Sequence, residues 1–214
     1  MPKLMLYFTP VTCARVAVIA LEATGTPYDL TYINVAAGEH FKAPYLAINP
    51  KSKVPALTVD GRPVTELPAI ILWLDATFPE SDLLPKTSTA LDRTDQISDL
   101  SYCAGTLHPI VSRLVRSHAF CDVPGGAESV YAFAAAGMKP NFAMIERRLA
   151  QAPWWYGDQW SMMDIYLNWV WYRTTSTPFD VAPYAAFGRH AKAVADLPCV
   201  RSGEQRMARQ TAGQ

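Results

Sequence analysis

Residues 4–35 read LMLYFTPVTCARVAVIALEATGTPYDLTYINV, and this stretch decides the first half of the fold. Residues 4–9 are a short apolar run rich in β-forming residues, and Pro10 ends it because proline cannot donate to a strand ladder. From Cys13 the apolar residues recur at helical spacing, and residues 28–35 again have strand composition. The order predicts a βαβ unit with a crossover helix and a parallel strand pair.

A hairpin and another helix follow this unit. Residues 54–59 and 62–65 have strand composition and flank Asp60-Gly61, a dipeptide that suits a tight two-residue turn. Residues 66–77 then return to helical spacing before a proline ends the pattern. The sequence therefore predicts a sheet that is completed by an antiparallel pair and followed by a helix.

The predicted elements divide the chain into two domains. With a weak helix around residues 40–48, the order β-α-β-(α)-β-β-α is that of an α/β thioredoxin-like domain over residues 1–78. Residues 79–88 carry two prolines and several polar residues, which is the composition of a linker. The remainder, residues 89–214, is predicted to be an all-α domain because no strand pair is evident there. Its periodic segments are residues 89–119, 126–150, 161–175 and 183–197.

The composition restricts the function classes. Half of the residues are hydrophobic and 18% are charged, as in a globular protein with ample core. Lys+Arg and Asp+Glu are both 19, so we expect neither nucleic acid nor an anionic membrane surface as a main partner. No apolar stretch approaches the roughly 18 residues of a membrane span, and no signal segment is evident, so the expected location is cytoplasmic.

The four cysteines are scattered along the chain without a CxxC pair. This spacing predicts neither a zinc site nor a disulfide framework, so no metal is expected. Cys103, Cys121 and Cys199 are interpreted as small buried hydrophobic residues. Cys13 differs because it lies at the start of the first predicted helix.

At that helix start, Thr12 is the predicted N-cap of the helix that Cys13 begins. The helix dipole favours the thiolate form of a cysteine in this position, and the nearby Arg15 adds to the effect. Cys13 is therefore the candidate reactive thiol. The alternative is a buried structural cysteine.

Two further features suit a short zwitterionic peptide. A cis bond is plausible at Val54-Pro55, and it would turn the Val54 backbone outward to pair with an extended ligand. Glu66 opens the following helix, where unpaired N–H groups favour a carboxylate while its side chain accepts an ammonium group. The alternatives are an ordinary trans proline in an edge strand and a plain first-turn acid.

A capping box begins the predicted helix at residue 161. Ser161 and Asp164 have the spacing at which each side chain satisfies a backbone N–H of the other, and Trp160 with Ile165 resembles a hydrophobic staple. We interpret this segment as a helix start and not as an active site.

These features resemble the glutathione transferase family in order and spacing over nearly the whole chain. The placement of Cys13 and of Leu107-His108 is most similar to the bacterial beta class. The segments that carry the resemblance are Tyr7 to Cys13, Asn49 to Leu57, Thr65 to Ile70 and Trp160 to Asp164.

The resemblance implies a fold, in which the thioredoxin-like domain precedes the helical domain, and a set of site residues. It implies Cys13, Thr9 or Tyr7 as the group that contacts the glutathione sulfur; Tyr7 could equally be a core residue of its strand. His108 could equally be a structural histidine, and most of the tryptophans of the second half are expected in the core. The implied glutathione-binding residues are Cys13, Lys53, Val54, Pro55, Glu66, Leu67 and Ser101, and those of the electrophile pocket are Thr12, Thr106, His108 and Trp169.

Two residues depart from the family pattern. Many relatives have a serine where this chain has Leu67, so only the backbone N–H remains there. Beta-class members often have a lysine where this chain has Pro109, which weakens the assignment to that class.

The resemblance implies glutathione as co-substrate, an apolar small-molecule electrophile as second substrate, and a homodimer. The implied reaction is attack of the glutathione thiolate on an apolar, aromatic electrophile. Two alternatives stay open: a glutathione-dependent thiol reductase or lyase acting through Cys13, and a binding module of the same fold without turnover.

Overall fold

The computed structural model describes residues 1–212, which fall into two compact units. The first unit contains residues 1–84 together with the C-terminal segment that begins at Asp196, and the second contains residues 85–195. This division differs from the predicted domains, because the sequence grouped the C-terminal segment with the helical half. The physical reason is a last helix that packs against the first helix of the chain.

A four-stranded sheet in the order β2-β1-β3-β4 forms the centre of the first unit. Strands β1 and β2 are parallel, and the other two pairs are antiparallel, so the predicted parallel pair and hairpin are confirmed. Alternate residues of β1 are buried, which is the period-2 pattern of a half-buried strand. The strands are β1 (Leu4–Phe8), β2 (Asp29–Tyr32), β3 (Ala56–Val59) and β4 (Arg62–Thr65).

The hairpin turn and the first helix end have the expected backbone. Asp60 and Gly61 have φ of 50° and 86°, the left-handed values that a tight hairpin turn needs. Gly25 has φ 65° and ends the first helix. The helices of the first unit are α1 (Ala14–Thr24), α2 (Ala43–Leu46), α3 (Leu67–Thr77) and α9 (Pro198–Thr211), with a 3₁₀ turn at Glu39–Phe41. The thioredoxin-like fold is confirmed.

Helix α9 was not singled out from the sequence because most of its residues are polar. Only Val200, Gly203 and Met207 are buried, at the i, i+3, i+7 spacing of a narrow apolar stripe. A Cβ atom at Gly203 would lie 3.2 Å from Cγ1 of Ile19 in α1. The absence of a side chain at this position therefore lets the two helices approach closely.

The second unit is helical, as predicted. Apart from an isolated bridge between Trp154 and Gly157, no strand occurs in residues 85–195. Within residues 1–212, no helix is long and apolar enough to cross a bilayer. The helices of this unit are α4 (Ala90–Tyr102), α5 (His108–Val115), α6 (Gly126–Leu149), α7 (Met162–Thr175) and α8 (Ala185–Ala195).

A π-helical segment at Cys103–Leu107 joins α4 to α5. Pro109 has no N–H, so it cannot donate to the carbonyl group of Gly105 in a regular helix. The N–H of His108 instead donates to the carbonyl oxygen of Cys103, five residues earlier. The proline that departs from the family pattern thus coincides with a change of helical register directly beside His108.

The capping box of α7 is confirmed. Ser161 Oγ accepts from the N–H of Met163 at 3.2 Å, and Asp164 Oδ2 accepts from the N–H of Ser161 at 2.8 Å. Asp164 is fully buried, and its Oδ1 also accepts from the N–H of Trp155 and lies 2.8 Å from Nε2 of His190. The helix start therefore joins the preceding loop to α8.

Replacing Ser161 by Ala should lower the free energy of unfolding by about 1–2 kcal/mol, because the cap acceptor and a buried hydrogen bond are both lost. Denaturant unfolding measures the change. Thr89, which forms an exposed capping box at α4, is the matched comparison, and Thr89→Ala should cost only about 0.5–1 kcal/mol. Equal stability of Ser161→Ala and the parent protein would contradict this role.

Candidate active site

The loop between α2 and β3 presents the backbone of Val54. The Val54-Pro55 peptide bond is cis, as the sequence suggested. Tyr45 Oη and Asn49 Nδ2 donate to the carbonyl oxygen of Lys53 at 2.6 and 2.7 Å, and these two bonds fix the loop. Within residues 1–212 the N–H of Val54 has no hydrogen-bond partner. This N–H is therefore available to an extended ligand.

Glu66 and the start of α3 lie in the same unit. Glu66 is the N-cap residue of α3 and has φ 72°, a conformation that residues other than glycine adopt rarely and that often occurs at ligand-binding sites and in turns. The Leu67 side chain is buried, so only its backbone can face a ligand. The first turn of α3 thus offers backbone N–H groups beside an exposed carboxylate.

The sequence missed Lys51 as a neighbour of this carboxylate. Lys51 Nζ donates to Glu66 Oε1 at 2.7 Å and to Thr65 Oγ1 at 3.1 Å. Lys53, the lysine predicted for the site, has an exposed side chain, and its carbonyl group anchors the loop. Only the fold distinguishes the two lysines, because both belong to the same short polar segment.

Cys13 lies beside Val54 and is buried. Its Sγ donates to the carbonyl oxygen of Val54 at 3.9 Å. Burial raises the pKa of the Cys13 thiol to about 12, a backbone hydrogen bond lowers it by less, and the negative charge of Glu66 adds to the increase. The predicted lowering of the Cys13 pKa is therefore not found: desolvation has the largest effect and raises it, and Arg15 pairs with Glu204 of α9 instead.

The hydroxyl groups near Cys13 already have acceptors. Thr9 Oγ1 donates to the carbonyl oxygen of Ile33 at 2.5 Å. Thr12 Oγ1 donates to the carbonyl oxygen of Thr9 at 2.7 Å and accepts from the N–H of Ala14. The predicted N-cap is one residue early, because Cys13 and not Thr12 is the N-cap residue of α1. Because a hydroxyl group has one proton, neither threonine can donate to a ligand sulfur without losing an internal bond.

Tyr7 is half-buried in β1 and packs in a cluster that includes Tyr45. The centroids of these two rings are 5.9 Å apart in an edge-on arrangement. Tyr7 therefore has the packing role that was its alternative interpretation, and its assignment to the sulfur stays a prediction.

In the second unit, the structure brings His108 and Trp169 together. Their ring centroids are 4.6 Å apart, and Trp169 is almost fully buried while His108 is half-buried. Thr106 lies exposed in the π-helical segment, and Ser101 lies exposed on α4. Trp169 therefore lies in the core, as expected for most of these tryptophans, and the roles of all four residues in a ligand site stay predictions.

The remaining cysteines partly match their prediction. Cys103 is buried, but Cys121 and Cys199 are only half-buried. Burial raises the pKa of the Cys103 and Cys199 thiols. Within residues 1–212, no group of three or more His, Cys, Asp or Glu side chains could hold a metal ion.

Residues 12–77 match the family model of the glutathione S-transferase N-terminal domain. A maleylacetoacetate isomerase of Pseudomonas aeruginosa is 30% identical over 172 residues, which cover 77% of each chain. A maleylpyruvate isomerase of Ralstonia sp is 28% identical over 153 residues, which cover 70% of this chain and 71% of that protein.

A solved structure is also similar. The crystal structure of a glutathione transferase homologue from Sulfitobacter, with bound glutathione, superposes with a TM-score of 0.85 at 28% identity. The superposition covers 96% of this chain and 99% of that one.

Proposed function

The chain belongs to the cytosolic glutathione transferase family, and on this premise we propose that it is a glutathione-dependent isomerase of a small unsaturated acid. The observation that carries the proposal is the group formed in the first unit by the unpaired N–H of Val54, the start of α3 at Glu66, and the Cys13 thiol. This group suits a peptide with a zwitterionic end and a thiol.

The contacts of glutathione follow from this group. The N–H of Val54 pairs with a backbone carbonyl of the tripeptide. The carboxylate of the γ-glutamyl end accepts hydrogen bonds from the backbone N–H groups in the first turn of α3. The ammonium group of the same end replaces Lys51 as the partner of Glu66. The missing serine hydroxyl at Leu67 leaves one contact fewer, but it leaves the backbone donors in place.

Isomerase chemistry is favoured by the relatives, several of which are named maleylacetoacetate or maleylpyruvate isomerase. A maleyl group has a cis double bond that adjacent carbonyl groups make electrophilic. The glutathione thiolate adds to one carbon of that bond, rotation occurs about the resulting single bond, and the thiolate leaves again. Glutathione is regenerated, and the product has the trans geometry.

Cys13 acts in this proposal as a hydrogen-bond donor. A thiol whose pKa is raised to about 12 stays protonated at neutral pH. Its S–H donates to the carbonyl oxygen of Val54 in this structure, and in the proposed reaction it turns from that oxygen to donate to the thiolate of glutathione and stabilise that anion. The same pKa argues against the alternative in which Cys13 itself attacks as a thiolate and forms a mixed disulfide.

Conjugation of glutathione to an apolar, aromatic electrophile is the second candidate. It shares the attack of the thiolate on an electrophilic carbon but retains the new C–S bond. The contact between His108 and Trp169 favours it, because aromatic side chains are typical of pockets for apolar ligands. The third candidate is a binding module without turnover. It is motivated by Leu67 and Pro109, the two residues that depart from the family pattern.

Purified protein should convert maleylacetoacetate or maleylpyruvate to the trans isomer only when reduced glutathione is present. Proton NMR follows the loss of the cis alkene, and thiol titration measures glutathione in parallel. The thiol concentration should stay constant, because the thiolate is released in every cycle. Loss of one thiol per substrate would indicate conjugation, and glutathione binding without any reaction of these acids would indicate the binding module.

Replacing Cys13 by Ala should lower kcat/KM by roughly 10- to 100-fold, because a hydrogen bond to a charged group contributes about 1.5–3 kcal/mol. Cys13→Ser should lose less, since a hydroxyl group also donates. Cys121→Ala, at a half-buried cysteine of the second unit, is the control and should retain the parent rate. Unchanged rates for Cys13→Ala in both isomerisation and conjugation would remove Cys13 from the mechanism.

The cytoplasmic location, the homodimer and the apolar nature of the electrophile stay predictions from the sequence and the resemblance.

A further inference from the structure

The carboxylate of Glu66 already has a cation as its partner in this structure. Lys51 Nζ donates to Glu66 Oε1 at 2.7 Å and to Thr65 Oγ1 at 3.1 Å. Within residues 1–212, no other cation pairs with Glu66. The proposed contacts of glutathione place the ammonium group of the γ-glutamyl end on the same carboxylate. Lys51 and this ammonium group are therefore competitors for one anion.

The backbone of Lys51 belongs to the turn that presents Val54. The N–H of Lys51 donates to Asn49 Oδ1 at 3.1 Å. Asn49 Nδ2 donates to the carbonyl oxygen of Lys53, the residue before Val54. The turn is thus held by internal hydrogen bonds, and the ion pair with Glu66 joins it to the start of α3. Lys51 consequently lies between the two parts of the proposed glutathione site.

The ion pair is weak enough to be exchanged. The side chains of Lys51 and Glu66 are 53% and 62% exposed. An ion pair with this exposure contributes little, because water solvates both charges and a fixed geometry restricts two long side chains. The ammonium group of glutathione, in contrast, is placed by the other contacts of the tripeptide, at the N–H of Val54 and the first turn of α3. The ligand can therefore displace Lys51.

Sharing of the carboxylate would not remove the competition. Two ammonium groups on one carboxylate lie within a few Å of each other and repel. Lys51 therefore opposes the binding of an ammonium group at Glu66 whether it leaves the carboxylate or remains beside it. This effect has the opposite sign to the general attraction between a lysine and an anionic ligand.

We propose that Lys51 is a specificity-determining residue, which competes with the α-ammonium group of glutathione for Glu66 and so reduces the preference of the site for ligands with a free α-amino group. This inference rests on the proposed function and deepens it, because it names the residue that sets how strongly the γ-glutamyl end is selected. Neither the sequence patterns nor the family resemblance pointed to Lys51.

The opposite role for Lys51 is attraction of the ligand carboxylates. Glutathione has two carboxylates and one ammonium group, so a nearby cation favours its binding in general. Lys53 provides the matched comparison, because it has the same charge two residues along the same turn and an exposed side chain. Within residues 1–212, the ammonium group of Lys53 makes no ion pair with Glu66.

The test compares reduced glutathione with its glutaryl analogue, in which a hydrogen atom replaces the α-amino group. Both are titrated onto the full chain at constant pH and ionic strength and followed by NMR. Lys51→Gln should lower the Kd of glutathione about two- to fivefold, the range expected for release of an exposed ion pair, and should not lower that of the analogue. Lys53→Gln should not lower the Kd of glutathione. Lys51→Arg, which keeps a cation beside Glu66, should not lower it either.

An unchanged or raised Kd of glutathione in Lys51→Gln would overturn the competition, and so would an equal gain in affinity for the analogue, which has no amino group. The titration needs no turnover, so it separates the two proposals. Tighter glutathione binding by Lys51→Gln in a protein that isomerises no maleyl acid would contradict the proposed function alone. Isomerisation together with an unchanged Kd would contradict the competition alone, and no binding of glutathione to the parent at millimolar concentration would contradict both.

Discussion

The hydrogen bonds from Tyr45 and Asn49 to the carbonyl oxygen of Lys53 are the interaction on which the site of the first unit depends. Asn49 is almost fully buried, so the loss of its acceptor would cost more than the roughly 1 kcal/mol net value of an ordinary hydrogen bond. These two bonds hold the loop that places the Val54 backbone next to Cys13. The loop consequently presents a backbone donor in a fixed direction, and a ligand can bind there without first ordering the chain.

Burial then determines what Cys13 can do. The helix start and the neighbouring arginine in the sequence both suggest a thiolate, but desolvation raises the pKa of Cys13, and the negative charge of Glu66 opposes ionisation as well. A protonated thiol is a donor, so in the proposed reaction the negative charge stays on the sulfur of glutathione.

Local chemistry made much of the fold predictable from the sequence. The hairpin at Asp60-Gly61 and the capping box at Ser161 each require particular side chains at fixed spacing, and both are present in the structure. The packing partner of helix α9 could not be predicted, because its short apolar stripe does not show which helix it contacts. The structure identifies α1 as the partner through the close approach at Gly203. The ion pair of Lys51 with Glu66 and the raised pKa of Cys13 depend on tertiary placement and burial, which no local pattern encodes.

The central claim is that the Val54 backbone and the start of α3 bind glutathione. The most direct test is an NMR titration of ¹⁵N-labelled protein with reduced glutathione, followed at the amide signals of Val54 and Leu67. The account predicts that both signals move together and saturate at millimolar or lower concentration, while the amide signals of α9 stay in place. No movement of the Val54 and Leu67 signals in well-folded protein would contradict it.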